Sequence, residues 1–262
     1  MSVGNGTYLE RIIAEHRVRA LADQRSVEQL FAEAVLLPET RGFRSSLSQP
    51  ALSVIAEIKR RSPSKGDLFV DLNPSVLARE YATGGAACIS VLTDEANFGG
   101  SQADLEMARA AVKLPVLRKD FTVDERDVLD ARLMGADAVL LIVAALSKQE
   151  LERFFSLSVE LGLDALVETH DEAELETALE IGAELIGVNQ RNLITFEVDY
   201  ERAARMAELI PDDVIAVAES GVRGPADAAM LRQAGYAAIL VGETLVTSGD
   251  ATAAVAALRE AV

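Results

Sequence analysis

Several apolar runs in this chain end in a charged or amide side chain. In "SVIAEIKRRSPSKGDL", Glu57 and Lys59 stand two apart behind Val54, Ala56 and Ile58. Lys119 sits at the end of "VLRK", Glu168 in "LVETH", Asn189 and Arg191 in "GVNQRNL", and Glu219 with Ser220 in "AVAESGV". One buried lysine or glutamate is costly without a partner, so a single example reads as a structural ion pair or a solvated end. The same arrangement repeated down the chain points to chemistry instead. Lysine and arginine can neutralise an anion, and glutamate beside them can move protons.

Side chains alternate across a strand, so Glu57 and Lys59 share one face while Ala56 and Ile58 share the other. From Ser53 onward, short β-rich runs alternate with segments of helical period. The runs are "VIAEIK", "CISVLT", "VLRKD", "AVLLIV", "ALVET", "LIGVN", "IAVAES" and "AILVG". Glycines punctuate the helix ends before several of them, as in "MGADAVLLI" and "LGLDALVE". Ser147 with Glu150 and Asp171 with Glu174 have capping-box spacing, a structural use for those charges. Eight strands, each followed by a helix, predict a closed (β/α)8 TIM barrel in preference to an open doubly wound sheet. The C-terminal mouth of such a barrel would collect the charged strand ends, and there barrel enzymes place their catalytic groups. Residues 1–50 fall outside the repeat and read as two helices, an extension that either closes the lower end or lies across the mouth. No linker composition interrupts the chain, so residues 1–262 are expected to form one domain, with the barrel over 51–262. Because the chain ends after the eighth helix, no fused second enzyme is expected.

The last two strands lead into "ESGVRGPAD" and "VGETLV". Turns after the seventh and eighth strands of a barrel commonly hold a phosphate through backbone N–H groups. Gly221, Gly242 and the N–H of Glu243 are the candidates, against the plainer reading that the glycines only make tight turns. An anionic ligand is at odds with a chain of net charge −17, in which 42 Asp and Glu face 25 Lys and Arg. A local cluster of Lys59, Lys119 and Arg191 in a low-dielectric cleft can outweigh distant surface charge. The same acidity argues against nucleic acid and anionic lipid as partners.

Half of the 262 residues are hydrophobic, enough for one large core. The one cysteine, Cys88, lies in "AACISVL", reads as a small buried hydrophobe, and suggests a reducing compartment. The N-terminus lacks the pattern of a signal peptide, and no apolar stretch has the length of a membrane span, so a cytoplasmic location is expected. His16 and His170 have no Cys or His neighbours at zinc spacing, and no metal is expected.

Taken together and in order, "VIAEIKRRSPSKG", "ISVLTDEANFGGS", "PVLRKDF", "DALVETHDEAEL", "GVNQRNL", "AESGV" and "VGETL" resemble the indole-3-glycerol phosphate synthase family. The resemblance runs from about Ser53 to Leu245, and the N-terminal extension is also similar. It implies ring closure of 1-(2-carboxyphenylamino)-1-deoxyribulose 5-phosphate with loss of CO2 and water, and no cofactor. By the same resemblance Lys119 is the general acid and Glu168 the principal acid/base of the later stage. Glu57 would balance charge and contact substrate, while Lys59 would meet anionic groups and share the acid role. Asn189, Arg191, Glu219 and Ser220 would position the substrate, Ser62, Pro63 and Ser64 would belong to a loop that closes over it, and Phe121 would form an apolar wall. Gln190, where asparagine is frequent, and Arg126-Asp127, where Tyr-Gln is common, depart from the family pattern without touching the proposed acids and bases. A sugar-phosphate isomerase, a Schiff-base aldolase using Lys119 or Lys59, and a non-catalytic phosphate-binding barrel are the competing readings. The expected partner is a small phosphorylated substrate, and the expected state a monomer, with a homodimer as the alternative.

Overall fold

The computed structural model describes residues 7–63, 65–192 and 197–261. Ser64 of the expected loop lies outside the described residues. Eight parallel strands form a closed barrel: β1 Ser53–Ile58, β2 Cys88–Leu92, β3 Val116–Lys119, β4 Ala138–Ile142, β5 Asp164–Thr169, β6 Leu185–Asn189, β7 Ile215–Glu219 and β8 Ala238–Val241. Each pairs with its neighbours in sequence, and β1 closes the ring on β8 through Ser53–Ala238 and Ile55–Leu240. This is the expected TIM barrel, and its closure rules out the open sheet.

A parallel sheet is covered on both faces, which is why the strands read as nearly unbroken apolar runs. Val54, Ala56 and Ile58 point outward into the layer under the helices, while Ile55, Cys88, Leu117, Leu140, Leu166 and Leu240 fill the inside. Glu57 and Lys59 continue the inner row of Ile55 toward the mouth, as alternation requires.

The helices are α1 Tyr8–Ala22, α2 Val27–Ala34, α3 Phe43–Leu47, α4 Pro74–Gly84, α5 Glu95–Phe98, α6 Gln102–Ala111, α7 Glu125–Leu133, α8 Lys148–Glu160, α9 Glu172–Glu180, α10 Tyr200–Ala207, α11 Pro225–Gln233, α12 Glu243–Val246 and α13 Ala251–Arg259. Ser147 and Glu150 make the expected reciprocal box at α8. At α9 only half of the box forms. Asp171 accepts from the Glu174 N–H, but the Glu174 carboxylate turns back to His170. Among the described residues, no helix is long and apolar enough to cross a membrane.

The extension covers both ends of the barrel. Tyr8, Leu9 and Ile12 of α1 line the cavity at the mouth, and Arg17 forks onto Glu150 at 2.7 and 3.1 Å. The chain then descends outside the barrel, with α2 against α7 and Arg25 bidentate to Asp130. It ends in α3, a helix the sequence reading did not anticipate, whose Phe43 and Leu47 join the interior cluster from below. Cys88 is buried against this plug, its Sγ 3.6 Å from the Phe43 carbonyl, and burial pushes its thiol pKa up.

One buried carboxylate ties the lower end together. Asp137, fully buried ahead of β4, accepts from the backbone N–H groups of Arg41 and Val116, both at 2.8 Å, and pairs with Arg109 at 2.5 Å. Asp137→Ala would strand all three donors, so a loss of about 3–5 kcal/mol is expected. Urea unfolding should show a lower midpoint at unchanged slope; a variant within 1 kcal/mol of the parent would show that the cluster does not hold the plug.

Candidate active site

The strand ends surround a cavity of about 640 Å³, the size of a small-molecule site. It gathers Glu57, Lys59, Ser62, Pro63, Lys119, Phe121, Glu168, Asn189, Arg191, Glu219, Ser220, Gly221, Gly242 and Glu243, which are all the sequence candidates among the described residues. Ser62 lies in a short antiparallel ribbon, Arg61–Ser62 against Gly66–Asp67, that the loop after β1 forms.

At the centre Lys119 reaches across the barrel from β3. Its Nζ lies 2.7 Å from Glu168 Oε2 on β5 and 2.7 Å from Glu219 Oε2 on β7. Burial alone would depress the lysine pKa, but the Glu168, Glu219 and Glu57 carboxylates outweigh it and hold it well above the usual range. The two carboxylates share the cation unequally. Burial favours the neutral form of Glu168, yet Lys119 and His170 overcome it, and Glu168 stays ionised well below the ordinary carboxylate range. Asn189 Nδ2 also donates to Glu168 Oε1 at 3.1 Å. Glu219 Oε1, by contrast, is buried with no hydrogen-bond partner among the described residues. Burial, together with the Glu168 charge, pushes Glu219 up to about 7 against the pull of Lys119. The mouth therefore brings a cation, an anion and a carboxyl group of raised pKa within direct reach.

Beside this triad, Lys59 Nζ sits 2.6 Å from Glu57 Oε1. The sequence reading grouped Lys59 and Lys119 with Arg191 as a local positive cluster, whereas each lysine is paired with glutamate: Lys59 with Glu57 at the end of its own strand, Lys119 with Glu168 on β5 and Glu219 on β7. Two glycines make room for those glutamates. A Cβ on Gly242 would lie 2.3 Å from Glu57 Oε1, and one on Gly187 would lie 2.1 Å from Glu219 Oε1. Gly187, in the middle of "LIGVN", carried no signal as a site residue because its role depends on a strand 30 residues away.

The end of the cavity beyond Lys59 is built from backbone. Glu243 is the first residue of α12, and Gly242 ahead of it provides no side-chain cap, leaving the first amides of the helix without partners from their own helix. Ser220 has φ +68° and Gly221 +78°, a left-handed pair that turns the chain sharply after Glu219. The Lys65 Nζ, missed by the sequence reading, lies over this region 3.8 Å from Glu243 Oε1.

Gln190 points away from the cavity as alternation predicts, but its Nε2 donates to the Ser220 carbonyl at 2.8 Å, so this departure from the family pattern braces the turn. The other departure is structural: Arg126 Nε donates to the Arg25 carbonyl, and Asp127 closes the capping box of α7 with Asp124. Two further groups escaped the sequence reading, His16 because its partners are distant in sequence and His170 because Glu174 was read as a helix cap. His16 on α1 meets Asp94 at 2.9 Å and Asp120 at 3.9 Å, and its ring packs on Phe121 at 5.3 Å. Those carboxylates are already bonded to the Asn97 and Phe121 N–H groups and to Arg118, which marks a polar tether for α1. His170 stands between Glu168 and Glu174.

A family model described as indole-3-glycerol phosphate synthase matches residues 9–258, including the extension. An indole-3-glycerol phosphate synthase of Mycolicibacterium gilvum is 47% identical over 258 residues, 98% of this chain and 95% of that one. One from Nocardioides sp. is 57% identical over 203 residues, 78% of each chain. Thiamine phosphate pyrophosphorylase from Pyrococcus furiosus shares the fold alone, with a TM-score of 0.61 and 18% identity over 80% of this chain and 94% of that one. On the match along nearly its whole length, the chain belongs to the indole-3-glycerol phosphate synthase family, the carboxy-lyases that close the indole ring in tryptophan biosynthesis.

Proposed function

We infer the following division of labour for the family's reaction, the conversion of 1-(2-carboxyphenylamino)-1-deoxyribulose 5-phosphate to indole-3-glycerol phosphate, CO2 and water. The observation that carries it is Lys119, held 2.7 Å from both Glu168 and Glu219 at the mouth. As the carboxylate-bearing ring carbon attacks the ketone carbon, the ketone oxygen becomes an alkoxide. Lys119 donates a proton to it, which a strongly basic alkoxide can take even from a lysine of raised pKa. The C–CO2 bond then breaks, and its electron pair restores the aromatic ring. In the last stage the new hydroxyl takes a second proton, from Lys59 in its acid role, and leaves as water, while a base takes a proton from the neighbouring methylene carbon. Glu168, kept ionised, is that base. Glu219 retains a proton up to about 7 beside Lys119 and positions it.

Glu57 and Lys59 face the deoxyribulose chain, with Lys59 sharing the acid role and meeting anionic groups. The amides of Gly221, Gly242 and Glu243 take the phosphate, in the place where barrels use the turns after β7 and β8 and a short extra helix. Asn189, Arg191 and Ser220 position the substrate, Phe121 and the α1 side chains Leu9 and Ile12 wall the aromatic end, and Ser62, Pro63 and Ser64 belong to the closing loop. A lysine with a raised pKa is a poor amine nucleophile, which argues against the Schiff-base aldolase. The single free thiol of Cys88 fits a reducing cytoplasm.

The direct test is indole fluorescence after the substrate is added. The chain contains no tryptophan, so the product stands out. Rapid growth is expected for the parent protein, with a fall of about a hundred- to ten-thousand-fold for Lys119→Ala. A folded parent without growth would sink the assignment. Gly187→Ala should lower kcat by displacing Glu219 while the far-ultraviolet circular dichroism stays intact; unchanged kcat would show that the Glu219 position is immaterial. The Glu219 proton also has a thermodynamic signature. Its folded pKa of about 7 lies above the ordinary 4.5, so between those values the folded state binds a proton that the unfolded chain has lost. Stability from this group is full below about 4.5 and declines as pH rises through 7. Glu219→Gln should remove that decline when urea midpoints are compared at acid and alkaline ends of the window, and parallel curves would refute it.

A further inference from the structure

The first turn of α9 reaches the acid–base machinery through one histidine. His170 follows β5 directly, and its ring is largely buried. Glu174 Oε2 accepts from the His170 backbone N–H at 2.8 Å and lies 2.9 Å from ring Nδ1, gripping the residue at two points. Asp171 caps the Glu174 N–H and so fixes where that carboxylate starts. On its other side the ring brings Nε2 to 3.3 Å from Glu168 Oε1, a charge contact that lacks hydrogen-bond alignment.

We propose that His170, clamped by Glu174, is a positioning residue whose imidazolium holds Glu168 as an aligned carboxylate for the elimination stage. The inference rests on Glu168 as the acid–base group, and it adds a part that the charges of "ETHDEAE" hid when they were read as helix caps.

The charges alternate along the row: Glu174, His170, Glu168, Lys119. The groups facing the ring are Glu168 from its own strand and Glu174 from α9. β6 brings the neutral Asn189 amide to the same Glu168 oxygen, and β3 brings Lys119 to the other one. Burial opposes charging the ring, but the two carboxylates overcome it and lift His170 to about 9. At neutral pH the ring is therefore a cation. It occupies Oε1 together with Asn189, while Oε2 keeps its contact with Lys119. A neutral ring would release Oε1 and let the carboxylate rotate away from the reacting carbon.

Two measurements test this, and the first needs no variant that could misfold. The chain has only two histidines, so imidazole carbon-bound proton signals can be followed through a pH titration of the intact protein. The signal that disappears in His170→Gln should titrate near 9, and Glu168→Gln should lower its midpoint by about one pH unit or more. A signal that titrates at the ordinary histidine value, or that Glu168→Gln leaves in place, would overturn the proposal. The second is the pH dependence of ring closure. The parent kcat should fall as pH rises through 9, and His170→Gln should lack that step, with kcat about tenfold lower at neutral pH and KM within about twofold. Glu174→Gln should move the step to lower pH. A His170→Gln profile parallel to the parent's would reduce the histidine to packing. Full activity in Glu168→Gln would instead overturn the role of Glu168 itself, and so separates failure of the proposal from failure of the assignment beneath it.

Discussion

The site depends on one largely buried cation shared by two carboxylates. Taking a lysine out of water costs several kcal/mol, and each glutamate adds a cost of its own. Those costs are met only if the three groups lie in contact, and 2.7 Å on both sides of Lys119 meets that condition. The scaffold serves the geometry. β3, β5 and β7 are alternate strands of the ring, so their inward side chains converge on the axis at one level. The surroundings of Glu168 and Glu219 are unequal. One carboxylate collects an amide and an imidazole ring besides the lysine, while the other faces Gly187 with an oxygen left bare. Two residues of the same type are pushed to opposite sides of the ordinary carboxylate range because their neighbours differ.

The barrel and the members of its mouth were legible in the sequence, for physical reasons. Strand alternation puts Glu57 and Lys59 on one face whatever the rest of the fold does, and eight repeats of strand and helix leave few closed arrangements. Pairing was not legible. Lys119 and Glu219 are 100 residues apart, and nothing local in "VLRKD" indicates which carboxylate it meets. His170 and Glu174 were hidden by a competing explanation, since Glu174 stands where a capping box would use it and half of that box does form. Gly187 was hidden because a glycine's usefulness at a close approach belongs to the neighbour that approaches. The helix α3 is short and lies in a stretch without periodicity, where a hydrophobic pair such as Phe43 and Leu47 gives little to read.

The departures from the family pattern illustrate the same division. Gln190 lies on the outward face, as strand alternation requires, and its side chain still reaches the mouth by bonding to a carbonyl on the next strand's turn. Arg126 and Asp127 organise the start of α7 and its contact with the chain before α2. Outward residues shape the site through backbone, which alternation alone cannot register.

The extension that covers both ends of the barrel also fixes an order of assembly. Its tethers join residues far apart: His16 to Asp94 spans 78 positions, Arg41 to Asp137 spans 96, Arg44 to Asp164 spans 120 and Arg17 to Glu150 spans 133. A chain leaving the ribosome at about 5–20 residues per second waits on the order of 10 s between making α1 and making its farthest anchor. β1 must wait longer still, because its second neighbour β8 is translated near the end. The extension is thus made ahead of every anchor that holds it, and during that interval the apolar side chains of α1 and α3 are exposed to whatever else in the cell binds unpaired helices.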